Sequence, residues 1–187
     1  PVVDEKAKTI TINAVYYAKN DDKEKLQKGV DAWNAQSGKY TYTTGEGDEQ
    51  KTYSVNFNLT VDPGDYKTAG EAQAAVKQDG KSNYFTVGEP VLEDSRGETH
   101  FGNNIKVRNS APERTVIHEL GHTLGVGEGN EEVMVSGGDS GLIIDSNVIS
   151  VLQRAGISSN TQNCDVNVSE KAQPVRTYNM KGSFNNR

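Results

Sequence analysis

The chain has 187 residues, a formal net charge of −6 at pH 7 and a mean hydropathy of −0.72. This length suits one domain with a sizeable core, and the acidic balance argues against nucleic acid or an anionic membrane as a partner. No run of 18 apolar residues occurs, so we expect no membrane-spanning helix. Cys164 is the only cysteine, which rules out an internal disulfide framework.

The first part of the chain predicts a strand, a helix and a second strand. Residues 9–17 (TITINAVYY) alternate apolar and polar side chains, which is typical of a half-buried strand. Residues 21–38 have apolar side chains at helical spacing, and a glycine ends the pattern. Asp21 and Glu24 predict a capping box at the start of this helix. Residues 39–44 (KYTYTT) predict the second strand.

The next part predicts two more strands with a short helix between them. Residues 51–61 (KTYSVNFNLTV) alternate without interruption, so we expect a strand with one buried face. Thr68 and Glu71 predict the capping box of an Ala-rich helix that reaches about residue 78. Residues 83–87 (NYFTV) predict another strand.

A hairpin and two helices are expected in the following part of the chain. Residues 99–109 (THFGNNIKVRN) predict a hairpin or an edge segment. Ser110 and Glu113 predict a capping box for the helix that carries the sequence HELGHTLG. Gly125 predicts the end of this helix, because glycine permits the sharp turn of the chain there. Residues 145–156 (DSNVISVLQRAG) predict a C-terminal helix that ends at its glycine.

The order of these elements defines the expected fold class. Strands and helices are mixed along the chain, which predicts an α+β domain with a mixed, twisted sheet. We place this domain in residues 1–156. Residues 157–187 are polar and weakly patterned, and we treat them as a C-terminal extension of unknown structure.

The helix that carries HELGHTLG has two different sides. Four apolar residues form one stripe of this helix: Val116, Ile117, Leu120 and Leu124. His118 and His122 lie together, about 160° from the centre of that stripe. Residues four apart are neighbours on a helix, so two imidazole nitrogens are placed to bind one zinc ion. The alternative is a solvated helix face with two incidental histidines.

Glu119 follows His118 and lies about 100° further around the helix. At this position its carboxylate reaches a metal-bound water without displacing it. A general base needs this placement, within hydrogen-bond reach of the proton that it takes. A bound metal would lower the pKa of the water and polarise the substrate carbonyl.

Residues 118–128 read HELGHTLGVGE, which resembles the metzincin zinc-peptidase signature HExxHxxGxxH with Glu128 in place of the third histidine. In EEVMVSGG, Met134 stands where metzincins have a methionine in a tight turn beneath the metal (the Met-turn). The resemblance implies that zinc is held by His118, His122 and Glu128. It also implies that Met134 is a hydrophobic floor and not a ligand.

The same resemblance implies a zincin-like metallopeptidase fold with an active-site helix and a C-terminal helix. The expected activity is that of a zinc endopeptidase, which hydrolyses peptide bonds through a metal-bound water with Glu119 as general base and proton shuttle. A peptide or protein substrate would lie extended along an edge strand. We expect a monomer that is extracellular or exported, and an inhibitory pro-segment or partner outside this chain.

Two other functions stay open on the sequence. One is a zinc hydrolase of another HExxH type, with Asp139, Asp145 or Glu170 as its third ligand. The other is a non-catalytic module that keeps the metal for structure. Glu119 argues against this module, because a structural site has no need of that carboxylate. His100 is either a partly exposed strand or loop residue, or it has a role as a third ligand or in contact with substrate.

Overall fold

A computed structural model of the chain describes residues 1–45, 47–88, 93, 95–100, 102–127, 143, 145–157 and 165–168. For residues 47, 145 and 165–168 it describes the backbone alone. None of the helices in these ranges is long and apolar enough to cross a membrane.

The described residues form one sheet of eight strands and four α-helices. The strands are β1 (Val2–Asp4), β2 (Thr9–Tyr17), β3 (Tyr40–Thr44), β4 (Lys51–Val61), β5 (Ser82–Val87), β6 (Gly97–His100), β7 (Asn104–Val107) and β8 (Asp165–Val168). The helices are α1 (Lys23–Asn34), α2 (Ala69–Ala75), α3 (Glu113–Thr123) and α4 (Asp145–Arg154), with short 3₁₀ turns at Asn20–Asp22 and Gly47–Glu49.

The sheet is mixed, with a parallel centre and antiparallel ends. Its order is β6-β7-β5-β2-β4-β3-β8, and β1 pairs with the first part of β2. Strand β2 is parallel to β4 and β5, and β5 is parallel to β7. Strands β6, β3 and β8 pair antiparallel with their neighbours. The predicted α+β class and mixed sheet are confirmed, and β8 shows that part of the extension at 157–187 joins this sheet.

One face of the sheet carries the core, as the alternation in β2 and β4 predicted. Ile12 of β2 lies beside Phe57 of β4, and both side chains are buried. The alternate residues of β4, such as Asn56 and Thr60, are half-buried or exposed. Helices α1, α3 and α4 share one hydrophobic cluster with the apolar face, so the sheet positions all three helices from one side.

Helix α1 fixes helix α3 by close contact and by one hydrogen bond. A Cβ added at Gly29 would lie 2.7 Å from Cγ1 of Val116, so only glycine lets the two helices approach this far. The indole Nε1–H of Trp33 donates to the carbonyl oxygen of Ile117 at 3.0 Å. Trp33 is fully buried, and a buried indole N–H needs such a partner. Helix α3 is therefore held in a fixed position across the sheet.

Two of the three predicted capping boxes are wrong. Helix α1 begins at Lys23 with no side-chain cap bond, because the carboxylate of Asp22 accepts instead from the backbone N–H of Val87 at 2.9 Å. The predicted box of Asp21 and Glu24 does not form, because Asp21 lies within the preceding 3₁₀ turn and Asp22 is the N-cap. Helix α3 begins after Pro112, also without a side-chain cap bond.

The box predicted from Ser110 and Glu113 fails because Pro112, two residues after the serine, is the N-cap. The box of Thr68 and Glu71 is confirmed, with both reciprocal hydrogen bonds present. Helix α2 nevertheless ends at Ala75, three residues before the predicted end. The hairpin predicted in residues 99–109 is confirmed by the antiparallel pairing of β6 with β7.

Candidate metal centre

Helix α3 ends in a turn that brings the chain back beside its last residues. Gly125 has a φ of +99°, which glycine adopts without strain. Its N–H donates to the carbonyl of His122, and the N–H of Val126 donates to the carbonyl of Gly121, both at 3.0 Å. These two bonds form a Schellman motif. The helix end predicted at Gly125 is confirmed.

The turn orients the ring of His122. Nδ1 of His122 lies 2.9 Å from the carbonyl oxygen of Val126. A carbonyl oxygen only accepts, so this hydrogen bond requires the hydrogen on Nδ1, which leaves the lone pair of the neutral ring on Nε2. Metal-binding histidines are commonly oriented in this way by a backbone carbonyl. The turn therefore leaves Nε2 of His122 in the form that binds a metal.

His118 and His122 direct their Nε2 atoms at one another. The two Nε2 atoms are 3.1 Å apart, and the rings are nearly perpendicular with centroids 4.7 Å apart. Two nitrogens bound at about 2.0–2.1 Å to one tetrahedral ion lie about 3.3–3.4 Å from each other. The pair thus fits a zinc ion after a movement of a few tenths of an ångström.

The side of α3 that carries the histidines is covered. His118 is 8% exposed and Glu119 is 3% exposed, while His122 is half-buried. Strand β6 packs against α3 on this side. The side of α3 that carries His118 and Glu119 is therefore not a solvated helix face. The sequence gives the angular positions of the side chains around α3, but it does not show which residues cover them.

Glu119 contacts two residues of β6 that sequence reasoning missed. The hydroxyl of Thr99 donates to Oε2 of Glu119 at 2.7 Å. Gly97 also faces this carboxylate, because an added Cβ would lie 2.9 Å from its Oε1. Gly97 and Thr99 are two apart in a strand and so share a face. Only the packing of β6 against α3 reveals them, since 20 residues separate Thr99 from Glu119.

His100 lies on the opposite face of β6 from Thr99, because successive side chains of a strand alternate. Its side chain is 38% exposed, and Nε2 lies 3.2 Å from Oε2 of the buried Glu98. This position agrees with the prediction of a partly exposed strand histidine. The structure does not bring His100 to the two histidines of α3, which corrects the alternative that made it a third ligand.

Other predicted site residues lie outside the described residues: Glu128, Met134, Asp139 and Glu170. Asp145 begins α4, and only its backbone is described. Within the described ranges, no group of three or more His, Cys, Asp or Glu side chains is placed to hold a metal. The described part of the site therefore consists of two converging imidazoles and the buried carboxylate of Glu119, which follows His118 in the sequence.

Comparisons of the chain with models of protein families, with curated proteins and with solved structures find no match. The function is accordingly inferred from the geometry of this site.

Proposed function

We propose that this chain is a zinc-dependent endopeptidase similar to the metzincins. The observation that carries the proposal is the distance of 3.1 Å between the Nε2 atoms of His118 and His122. Glu119, the next residue after His118 in the sequence, is buried as well. A zincin-like fold is part of the proposal, and the mixed sheet beneath α3, together with the C-terminal α4, supports it.

His118 and His122 would hold the zinc through their Nε2 atoms, with Glu128 as the third ligand. The orientation of His122 by the Val126 carbonyl supports this assignment. When bound, zinc would lower the pKa of a water molecule and polarise the peptide carbonyl. Met134 would lie beneath the site as a hydrophobic floor, without binding the metal.

Glu119 would take a proton from the attacking water and deliver it to the leaving amine. Its place in the sequence next to His118 supports this role, since a base must lie close to the reacting atoms without occupying their position. Burial supports it further, because a carboxylate shielded from bulk water has fewer competing partners. The non-catalytic module is less well supported, since a structural site has no use for this carboxylate.

Strand β6 offers a place for an extended peptide. It is the end strand of the sheet as far as the chain is described, and it pairs with β7 along one edge. An extended peptide adds to such an edge through backbone hydrogen bonds. The same strand contacts Glu119 through Thr99, so a peptide on this edge would lie close to the base. We further propose a monomer that acts outside the cell or is exported.

The test is cleavage of a mixture of peptides of known sequence. Internal cleavage should stop when a zinc chelator is added and return with one equivalent of zinc. Binding of one zinc without any cleavage would leave the non-catalytic module as the better account. Failure to bind zinc would overturn the proposal as a whole.

A further inference from the structure

Strand β6 has two chemically different faces. Gly97 and Thr99 face α3, while Glu98 and His100 face the opposite way. A hydroxyl on the helix-facing side of an edge strand stands out, because polar side chains usually face away from a core. Thr99 is half-buried.

In the described part of the chain, the hydroxyl of Thr99 hydrogen-bonds to one residue only, which is Glu119. It lies 2.7 Å from Oε2 of Glu119 and 3.2 Å from the backbone oxygen of the same residue. A hydroxyl has one hydrogen, and hydrogen bonds to a charged acceptor are the shorter and stronger ones. The hydrogen therefore goes to the carboxylate.

Gly97 confines the other side of the same carboxylate. A Cβ at this position would lie 2.9 Å from Oε1 and 3.0 Å from Cγ of Glu119, and 2.7 Å from Cγ2 of Thr115. Any larger residue would push the Glu119 side chain from its place. The backbone of Gly97 and the hydroxyl of Thr99 thus define one orientation of a carboxylate that is 3% exposed.

We infer that Thr99 is a positioning residue for Glu119, whose hydroxyl holds the carboxylate in the orientation in which it acts as base. The inference rests on the proposed function. Since β6 is also the strand on which the peptide would lie, one element positions the base and the substrate together. Loss of the hydroxyl should therefore affect turnover more than binding of substrate or metal.

The experiment compares Thr99→Val with Thr99→Ser in the zinc-loaded protein. Valine has the shape of threonine without its donor, and we expect kcat to fall about 10- to 100-fold, as in other cases of a misplaced reacting group. KM and zinc affinity should stay within about threefold, because the hydrogen bonds of the Thr99 hydroxyl go to Glu119. Serine keeps the hydroxyl and should keep kcat within about threefold of the wild type. Thr60→Val, on the exposed side of β4, is the matched control.

A second measurement does not depend on activity. Urea unfolding of the metal-free wild type, Thr99→Val, Glu119→Ala and the double variant forms a double-mutant cycle. We expect Thr99→Val to lower the unfolding midpoint in the wild-type background and to change it little in the Glu119→Ala background. Equal shifts in both backgrounds would show that the two side chains are not coupled and would overturn the inference.

The outcomes separate the inference from the proposed function. If the wild type is active and Thr99→Val keeps the kcat of the wild type, the inference is wrong and the proposed function stands. Equal losses of kcat in the valine and serine variants overturn the inference as well, because the cause would then be packing. If the wild type shows no cleavage that a chelator stops, the proposed function is wrong. A coupling between Thr99 and Glu119 in the double-mutant cycle would then have no role in catalysis.

Discussion

The carbonyl oxygen of Val126 accepts a hydrogen bond from Nδ1 of His122 at 2.9 Å, four residues back along the chain. The bond forms because the chain turns back at Gly125, where φ is +99°. A backbone turn thereby sets the tautomer of a candidate ligand. The shape of the helix end and the chemistry of the imidazole are thus linked through one peptide group.

Gly125→Ala should weaken both folding and zinc binding. Alanine is strained at this φ, and its Cβ would overlap the side chain of Arg154, so we expect a loss of about 1–3 kcal/mol in unfolding free energy. A shifted Val126 carbonyl should also lower zinc affinity. Urea unfolding and zinc competition measure the two effects. Gly127→Ala is the control, because an added Cβ there meets nothing within 4 Å. Equal zinc affinities in the two variants would contradict the expectation.

Glu119→Gln should keep the metal and lose nearly all peptidase activity. The amide cannot accept the proton of the water, while both histidines are untouched. Turnover of peptides and zinc content are measured side by side. Glu113→Gln, at the exposed start of the same helix, should retain wild-type turnover. If Glu119→Gln kept more than about a tenth of wild-type turnover, its role as general base would be wrong.

Glu128→Ala should abolish tight zinc binding, whereas Asp139→Ala and Asp145→Ala should not. A carboxylate oxygen binds zinc at about 2.0–2.2 Å, close to the distance of an imidazole nitrogen, so it can take the third place. Zinc affinity and stoichiometry are the measurements. Unchanged affinity in Glu128→Ala, with a loss in one of the other two variants, would favour a zinc hydrolase of another type.

Gly29→Ala should destabilise the contact between α1 and α3. The added Cβ would lie 2.7 Å from Cγ1 of Val116, and overpacking of this kind costs about 1–3 kcal/mol. Urea unfolding measures the loss. Gly70→Ala in α2 is the control, since its nearest contact would be at 4.0 Å. A Gly29→Ala protein as stable as the wild type would show that the helices separate without cost.

Glu5 should make the fold sensitive to acid. Hydrogen bonds from Tyr53 and Lys8 lower the pKa of Glu5 from 4.5 to about 2. A carboxylate with a lower pKa in the folded state stabilises the fold above its unfolded pKa, and this contribution is lost as the pH falls. The window therefore runs from about pH 4.5 down to about pH 2.

The measurement is the urea midpoint of the wild type and of Glu5→Gln as a function of pH. The wild type should be the more stable protein above this window, and the two should converge at its lower end. Glu49→Gln, at an exposed position, should follow the wild type throughout. A constant difference across the window would show that the ionisation of Glu5 does not contribute.

Local patterns in the sequence predicted most of the strands and helices, although not β1 or β8, and they placed the two histidines of the candidate site together. The alternation in β2 and β4 and the helical spacing of α3 depend on neighbours within a few residues, so the order of residues in the sequence is enough to predict them. The same holds for His118 and His122, which one turn of helix places together. Gly125 predicted the helix end because its conformation is a local property of the backbone.

Only the tertiary structure decided what surrounds these elements. The carboxylate of Asp22, the N-cap of α1, accepts a hydrogen bond from Val87 and not from its own helix. The packing of β6 against α3 buries Glu119. Thr99 reaches Glu119 across 20 residues of chain, through a pairing that no local period encodes. Such contacts depend on the order of strands and on how closely layers pack. Their stability comes from burial of many side chains together, which is why periodicity in one segment does not predict them.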